Sequence, residues 1–167
     1  DTAHVPYGSK GVETVQNYSN QITQFLLSHD VKLIVIACNT ASSVATKLLR
    51  ENFDVPIFEV VTPSVEQAIS LHNGCEIGII GTQSTIASNS YVEKFTTLAP
   101  HIKTVQQACP LFVPLIEENW SDTNTAKEVA SIYLEPISQR PLDAIVLGCT
   151  HYPMMEKIIQ YVVGESV

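Results

Sequence analysis

The chain has 167 residues, 45% of them apolar, and a net charge of -8, which suits a globular protein of one ordinary domain or two small ones. Its nine Lys and Arg are scattered among seventeen acidic residues, which argues against a nucleic-acid surface because phosphate contacts need clustered basic side chains. No segment reaches the ~18 to 20 continuous apolar residues of a membrane span.

In chain order, Asp1 to Lys10 reads as a loop, because Val5-Pro6-Tyr7-Gly8 carries turn residues. Apolar residues near helical spacing (Val15, Tyr18, Ile22, Phe25, Leu26) predict a helix from Val12 to about His29. Val31 to Ala37 predicts a strand. Thr40 to about Glu51 predicts a helix, which Asp54-Val55-Pro56 ends. Ile57 to Val61 is a short strand, and Thr62-Pro63 opens a helix to about His72. Glu76 to Ile80 is a strand, Gly81 to Ser84 a turn, and Thr85 to about Leu98 one helix. Lys103 to Gln107 is a strand. Cys109-Pro110-Leu111-Phe112-Val113-Pro114 reads as an apolar loop, and a short stretch to Trp120 carries Glu117 and Glu118. Thr125 to about Ile137 is expected to be a helix, broken after Pro136 and again at Pro141. Asp143 to Leu147 is a strand, and Met154 to about Val163 a last helix.

Strands alternating with helices of this length specify an α/β fold with parallel sheets. Two of the strands match: Leu33-Ile34-Val35-Ile36-Ala37 ends at Cys38, and Ala144-Ile145-Val146-Leu147-Gly148 ends at Cys149. The expected architecture is therefore two pseudo-symmetric, Rossmann-like α/β domains with the active site between them. Residues 1–62 would form the first and 63–153 the second, with 154–167 returning towards the first.

A single cysteine ending a buried strand reads as core, since free Cys is among the most buried residue types. Two at matching strand ends, each followed by small polar residues, argue for a site, because ligands of open α/β sheets bind at the carboxyl ends of strands. With Cys75 and Cys109 the chain holds four cysteines but no CxxC pair, and no secretory leader is expected. A cytoplasmic protein with free thiols and no structural zinc is expected, with Cys75 and Cys109 structural. Inverting a carbon stereocentre needs a base on one face and an acid on the other, and two like groups serve both directions. A thiol, with a reference pKa near ~8.5, supplies a reactive thiolate fraction at neutral pH. A helix starting just after each cysteine is expected to lower that pKa. Read singly, Tyr7 is packing in a turn, His151 a surface or core histidine, and Glu117 half of a solvated acidic pair with Glu118.

Five segments, in order, resemble glutamate racemase: Val5-Pro6-Tyr7-Gly8-Ser9-Lys10, Ala37-Cys38-Asn39-Thr40-Ala41-Ser42, Gly81-Thr82, Cys109-Pro110-Leu111-Phe112-Val113-Pro114-Leu115, and Gly148-Cys149-Thr150-His151-Tyr152-Pro153. The related aspartate racemases usually carry Glu rather than His after the second Cys-Thr. The resemblance implies a cofactor-independent, metal-free racemisation of glutamate for peptidoglycan, by a protein that touches neither membrane nor nucleic acid and is often a homodimer. It implies Cys38 and Cys149 as the two acid/base groups, with His151 assisting Cys149. Asn39, Thr40 and Thr150 would bind the substrate's charged groups. Pro6, Tyr7 and Gly8 would line the site, with Thr82, Thr85 and Glu117 near the substrate. It further implies a preceding strand with an Asp-Ser pair that assists Cys38, and last helices after Val167, so a longer natural protein is expected. The alternatives are another racemase of the superfamily, a decarboxylase needing one cysteine, or a non-catalytic binding module that keeps the fold.

Overall fold

A computed structural model describes residues 1–71 and 76–167; His72 and Cys75 lie outside the described residues. The fold is α/β with parallel strands in two sheets. The first sheet pairs β1 (Ile34–Ile36) with β2 (Ile57–Glu59), with Ile34 opposite Ile57 and Ile36 opposite Glu59. It is covered by α1 (Val12–Leu27) and α2 (Asn39–Asn52), which pack on each other. Val15, Ile34, Ala45, Leu49 and Ile57 form its core. On the other face of β1, Val35 is 59% exposed.

The second sheet has the order β4-β3-β5: Lys103–Ala108, Glu76–Gly81 and Ala144–Gly148. Central β3, Glu-Ile-Gly-Ile-Ile-Gly, is buried throughout, as a parallel strand covered on both faces must be. One face packs α3 (Val61–Leu71) and α5 (Ser90–Leu98) through Val61, Val65, Tyr91 and Phe95. The other packs α7 (Asn124–Ser138) and α8 (Glu156–Val163) through Ala130, Leu134 and Ile158.

Four local expectations needed correction. The single helix from Thr85 to Leu98 is two, α4 (Gln83–Ala87) and α5, because Asn89 between them takes a left-handed φ of 56°. Asparagine is one of the few residues that tolerates that conformation. The apolar loop through Pro114 contains the start of α6 (Phe112–Glu117), whose first turn holds Pro114 without losing an intrahelical bond. Pro136 does not end α7, which runs two residues further. The carbonyl it displaces, that of Ile132, lies on a face where that side chain is 70% exposed, so water can satisfy it. The last helix begins as a 3-10 turn over Tyr152–Met155, with Pro153 in its first turn, where the missing N–H costs no intrahelical bond.

Burial pushes the Cys109 thiol and the Tyr91 phenol each up to about 12, from 9.0 and 10.0. Both folded values lie above the unfolded ones, so the stability these neutral groups contribute is complete below about pH 9 and lost as pH rises through 12. The melting temperature is expected to fall steeply over that interval, and Cys109→Ala to remove part of the fall. A flat profile to pH 12 would contradict this account.

Candidate active site

Cys38 follows the carboxyl end of β1 and is the N-cap of α2. The first intrahelical bond runs from Ser42 N–H to Cys38 O at 2.8 Å. The N–H groups of Asn39, Thr40 and Ala41 therefore have no intrahelical acceptor, which makes this helix end receptive to an anion. Cys149 follows the end of β5, in the second sheet. The two thiols line one cleft of about 720 Å³ between the sheet ends. Among the sequence candidates, Pro6, Tyr7, Gly8, Asn39, Thr40, Thr82, Glu117, Thr150 and His151 also line it.

Thr85 does not line the cleft. It is fully buried behind it, where Thr40, Thr82 and Thr85 close a triangle of hydroxyls at 2.9, 3.0 and 3.3 Å. Thr40 comes from α2, Thr82 from the turn after β3 and Thr85 from α4, so the triangle ties the two sheets together at the cleft floor. Thr82 also caps α4, accepting from Thr85 N–H at 3.3 Å.

Gly8 meets this floor so closely that a Cβ there would lie 2.5 Å from Thr82 Cγ2. Ser84 fastens the same loop: its N–H and hydroxyl both donate to Gly8 O, at 3.1 and 3.0 Å, and the hydroxyl reaches Lys10 O at 2.8 Å. Tyr7 is held from the other side, donating to Asp1 Oδ2 at 2.6 Å, while Asp1 Oδ1 pairs with His4 Nδ1 at 2.8 Å. Partial burial, then the neighbouring Cys38, push the Tyr7 phenol up. Asp1 and Ser84 were not legible as site residues. Their roles come from contacts across loops and sheets, and no local pattern marks them.

At the second thiol, His151 Nδ1 lies 3.9 Å from Cys149 Sγ, and His151 Nε2 donates to Glu117 Oε1 at 2.5 Å. The carboxylate fixes the proton of a neutral imidazole on Nε2, leaving Nδ1 as the acceptor towards the thiol. Glu117 is thus partnered by His151, although its side chain is 65% exposed.

The expectation that a following helix lowers the Cys149 pKa is reversed. Burial pushes the thiol up to about 11, partly offset by the His151 backbone N–H, with Cys38 adding to the rise. The residue is 7% exposed, and it leads into a turn and a 3-10 segment instead of an α-helix start, so desolvation outweighs any dipole. Among the described residues, no group of three or more His, Cys, Asp or Glu side chains is arranged to hold a metal ion.

The family model for Asp/Glu/Hydantoin racemase matches residues 1–167. A glutamate racemase of Geobacter metallireducens is 42% identical over 167 residues, which is 100% of this chain and 62% of that protein. The crystal structure of a glutamate racemase isoform from Bacillus anthracis superposes with a TM-score of 0.95 at 34% identity, covering 100% of this chain and 63% of that one. A Francisella tularensis glutamate racemase, crystallised in complex with D-glutamate, gives 0.90 at 35% identity over 97% of this chain and 61% of its own. The chain thus spans a little under two thirds of the length of these relatives. With parallel strands ending in two cysteines at one cleft, and a match from the first residue to the last, the chain belongs to the Asp/Glu/Hydantoin racemase family.

Proposed function

We propose that the protein carrying this chain racemises glutamate, using Cys38 and Cys149 as opposed base and acid without a cofactor, and so supplies D-glutamate for peptidoglycan. The observation that carries this reading is that both thiols line one cleft, each at the end of a different sheet. Cys38 as thiolate takes the α-proton of D-glutamate, leaving the electron pair on the α-carbon and its carboxylate. Cys149, held as a thiol by burial, delivers its proton to the opposite face and is left as the thiolate. With L-glutamate the roles reverse, and His151 Nδ1 then accepts the Cys149 proton along the short chain to Glu117. The amide end of α2, with Asn39 and Thr40, meets the α-carboxylate, an anion the substrate already carries when it binds. Thr82 and Thr150 bind the remaining charged groups, Pro6, Tyr7 and Gly8 wall the cleft, and Thr85 supports it from behind. The glutamate racemases among the relatives and the His after Cys149-Thr150 favour glutamate over aspartate.

In deuterated water, the whole protein incubated with L-glutamate is expected to lose optical rotation and gain α-deuterium together. Exchange with full retention of rotation, or neither change, would sink the racemase reading.

A further inference from the structure

Tyr91, on the first turn of α5, is fully buried and distant in sequence from both thiols. Its hydroxyl donates to Asn39 Oδ1 at 3.3 Å. Its ring edge lies under the other strand end, where a Cβ added to Gly148 would come within 3.3 Å of Tyr91 Cε2. One side chain therefore reaches from the residue after Cys38 to the residue before Cys149.

A buried phenol needs a hydrogen-bond partner, and here the partner's own geometry is decided by it. A carboxamide carries an acceptor on one branch and two donors on the other. With Oδ1 held by Tyr91, Asn39 Nδ2 must take the opposite branch. Asn39 lines the cleft, and among the described residues its Nδ2 has no hydrogen-bond partner. Nor is Nδ2 a sealed, unpaired atom: among the described residues that condition applies to Gln106 Oε1. The amide nitrogen is thus open to the cleft, beside the free N–H groups at the start of α2.

Resting on the reading of the cleft as a glutamate site, we propose that Tyr91 is a positioning residue that turns the Asn39 carboxamide donor side towards the substrate carboxylate. Without the phenol oxygen, the amide is free to flip and present its carbonyl to the carboxylate, which repels it.

Tyr91→Phe removes one oxygen and keeps the ring against Gly148. In the whole protein, KM for both enantiomers is expected to rise about 10- to 150-fold, the range of one hydrogen bond to a charged group, with kcat within about 3-fold of the unsubstituted protein. The melting temperature should move little. On an Asn39→Ala background the same change is expected to raise KM less than about 2-fold, because its effect passes through Asn39. An unchanged KM in Tyr91→Phe, or a fully additive loss on the Asn39→Ala background, overturns the proposal. A fall in kcat and melting temperature with KM unchanged assigns Tyr91 to packing alone and also overturns it. If the unsubstituted protein neither binds nor turns over D- or L-glutamate, the functional reading fails first and takes this inference with it.

Discussion

Replacing Cys149 with alanine is expected to lower racemisation by a factor of about 10³ to 10⁴, the upper range for losing a positioned acid/base group. Cys38→Ala should do the same. The two variants are expected to differ in deuterated water. With Cys149 removed, Cys38 still faces the α-proton of D-glutamate, so slow same-face exchange survives for that enantiomer only. With Cys38 removed, the surviving exchange belongs to L-glutamate. This crossed pattern separates a two-base mechanism from a general collapse of the site, which would abolish exchange of both enantiomers in both variants. Racemisation persisting within about tenfold of normal in either variant would refute the assignment. The burial that holds Cys149 as a thiol up to about pH 11 makes it the ready acid, and His151 the group that must act when it serves as base.

The largest expected effect on stability lies behind the second thiol. Phe112 is fully buried, with its ring centroid 5.7 Å from Tyr133 and 5.2 Å from Tyr152, both edge-on. Tyr152 follows His151 directly, and its hydroxyl donates to Cys109 O at 2.9 Å, so Phe112 supports the segment that presents Cys149 and His151. Phe112→Ala is expected to cost about 3–5 kcal/mol through lost burial and the cavity it leaves. For a protein of this size that corresponds to a melting temperature lower by roughly 6 to 20 °C. Phe112→Leu should recover more than half of the loss. A fall of under about 3 °C in Phe112→Ala would show that the site collapses around the gap, and that the ring does not support the Cys149 segment.

Most of the alternation was legible because periodicity reports it directly. Val15, Ile22 and Leu26 at helical spacing marked α1, and the Ile/Val runs before Cys38 and Cys149 marked β1 and β5. The misplacements fall where one backbone conformation decides the outcome. Asn89 splits a helix by adopting a positive φ, which its neighbours do not signal. Pro114 and Pro136 both sit inside helices, one in a first turn and one near an end, where a proline is least disruptive. Prolines so placed look the same in sequence as those that terminate.

Sequence alone determined the fold class, the pair of strand-end thiols and the polar residues that succeed them, because strand length, apolar runs and turn residues are local properties of the chain. Tertiary structure alone decided how those thiols differ. Both cysteines end a short apolar run, yet Cys38 caps a 14-residue helix while Cys149 enters a tight turn beneath His151 and is pushed up to about 11. That difference comes from desolvation, while His151 beside the thiol is held by Glu117, 34 residues from it along the chain. The same holds for Thr85 behind the cleft floor and for Tyr91 behind Asn39. Their hydrogen bonds join segments 45 and 52 residues apart, a proximity set by packing that no local pattern encodes.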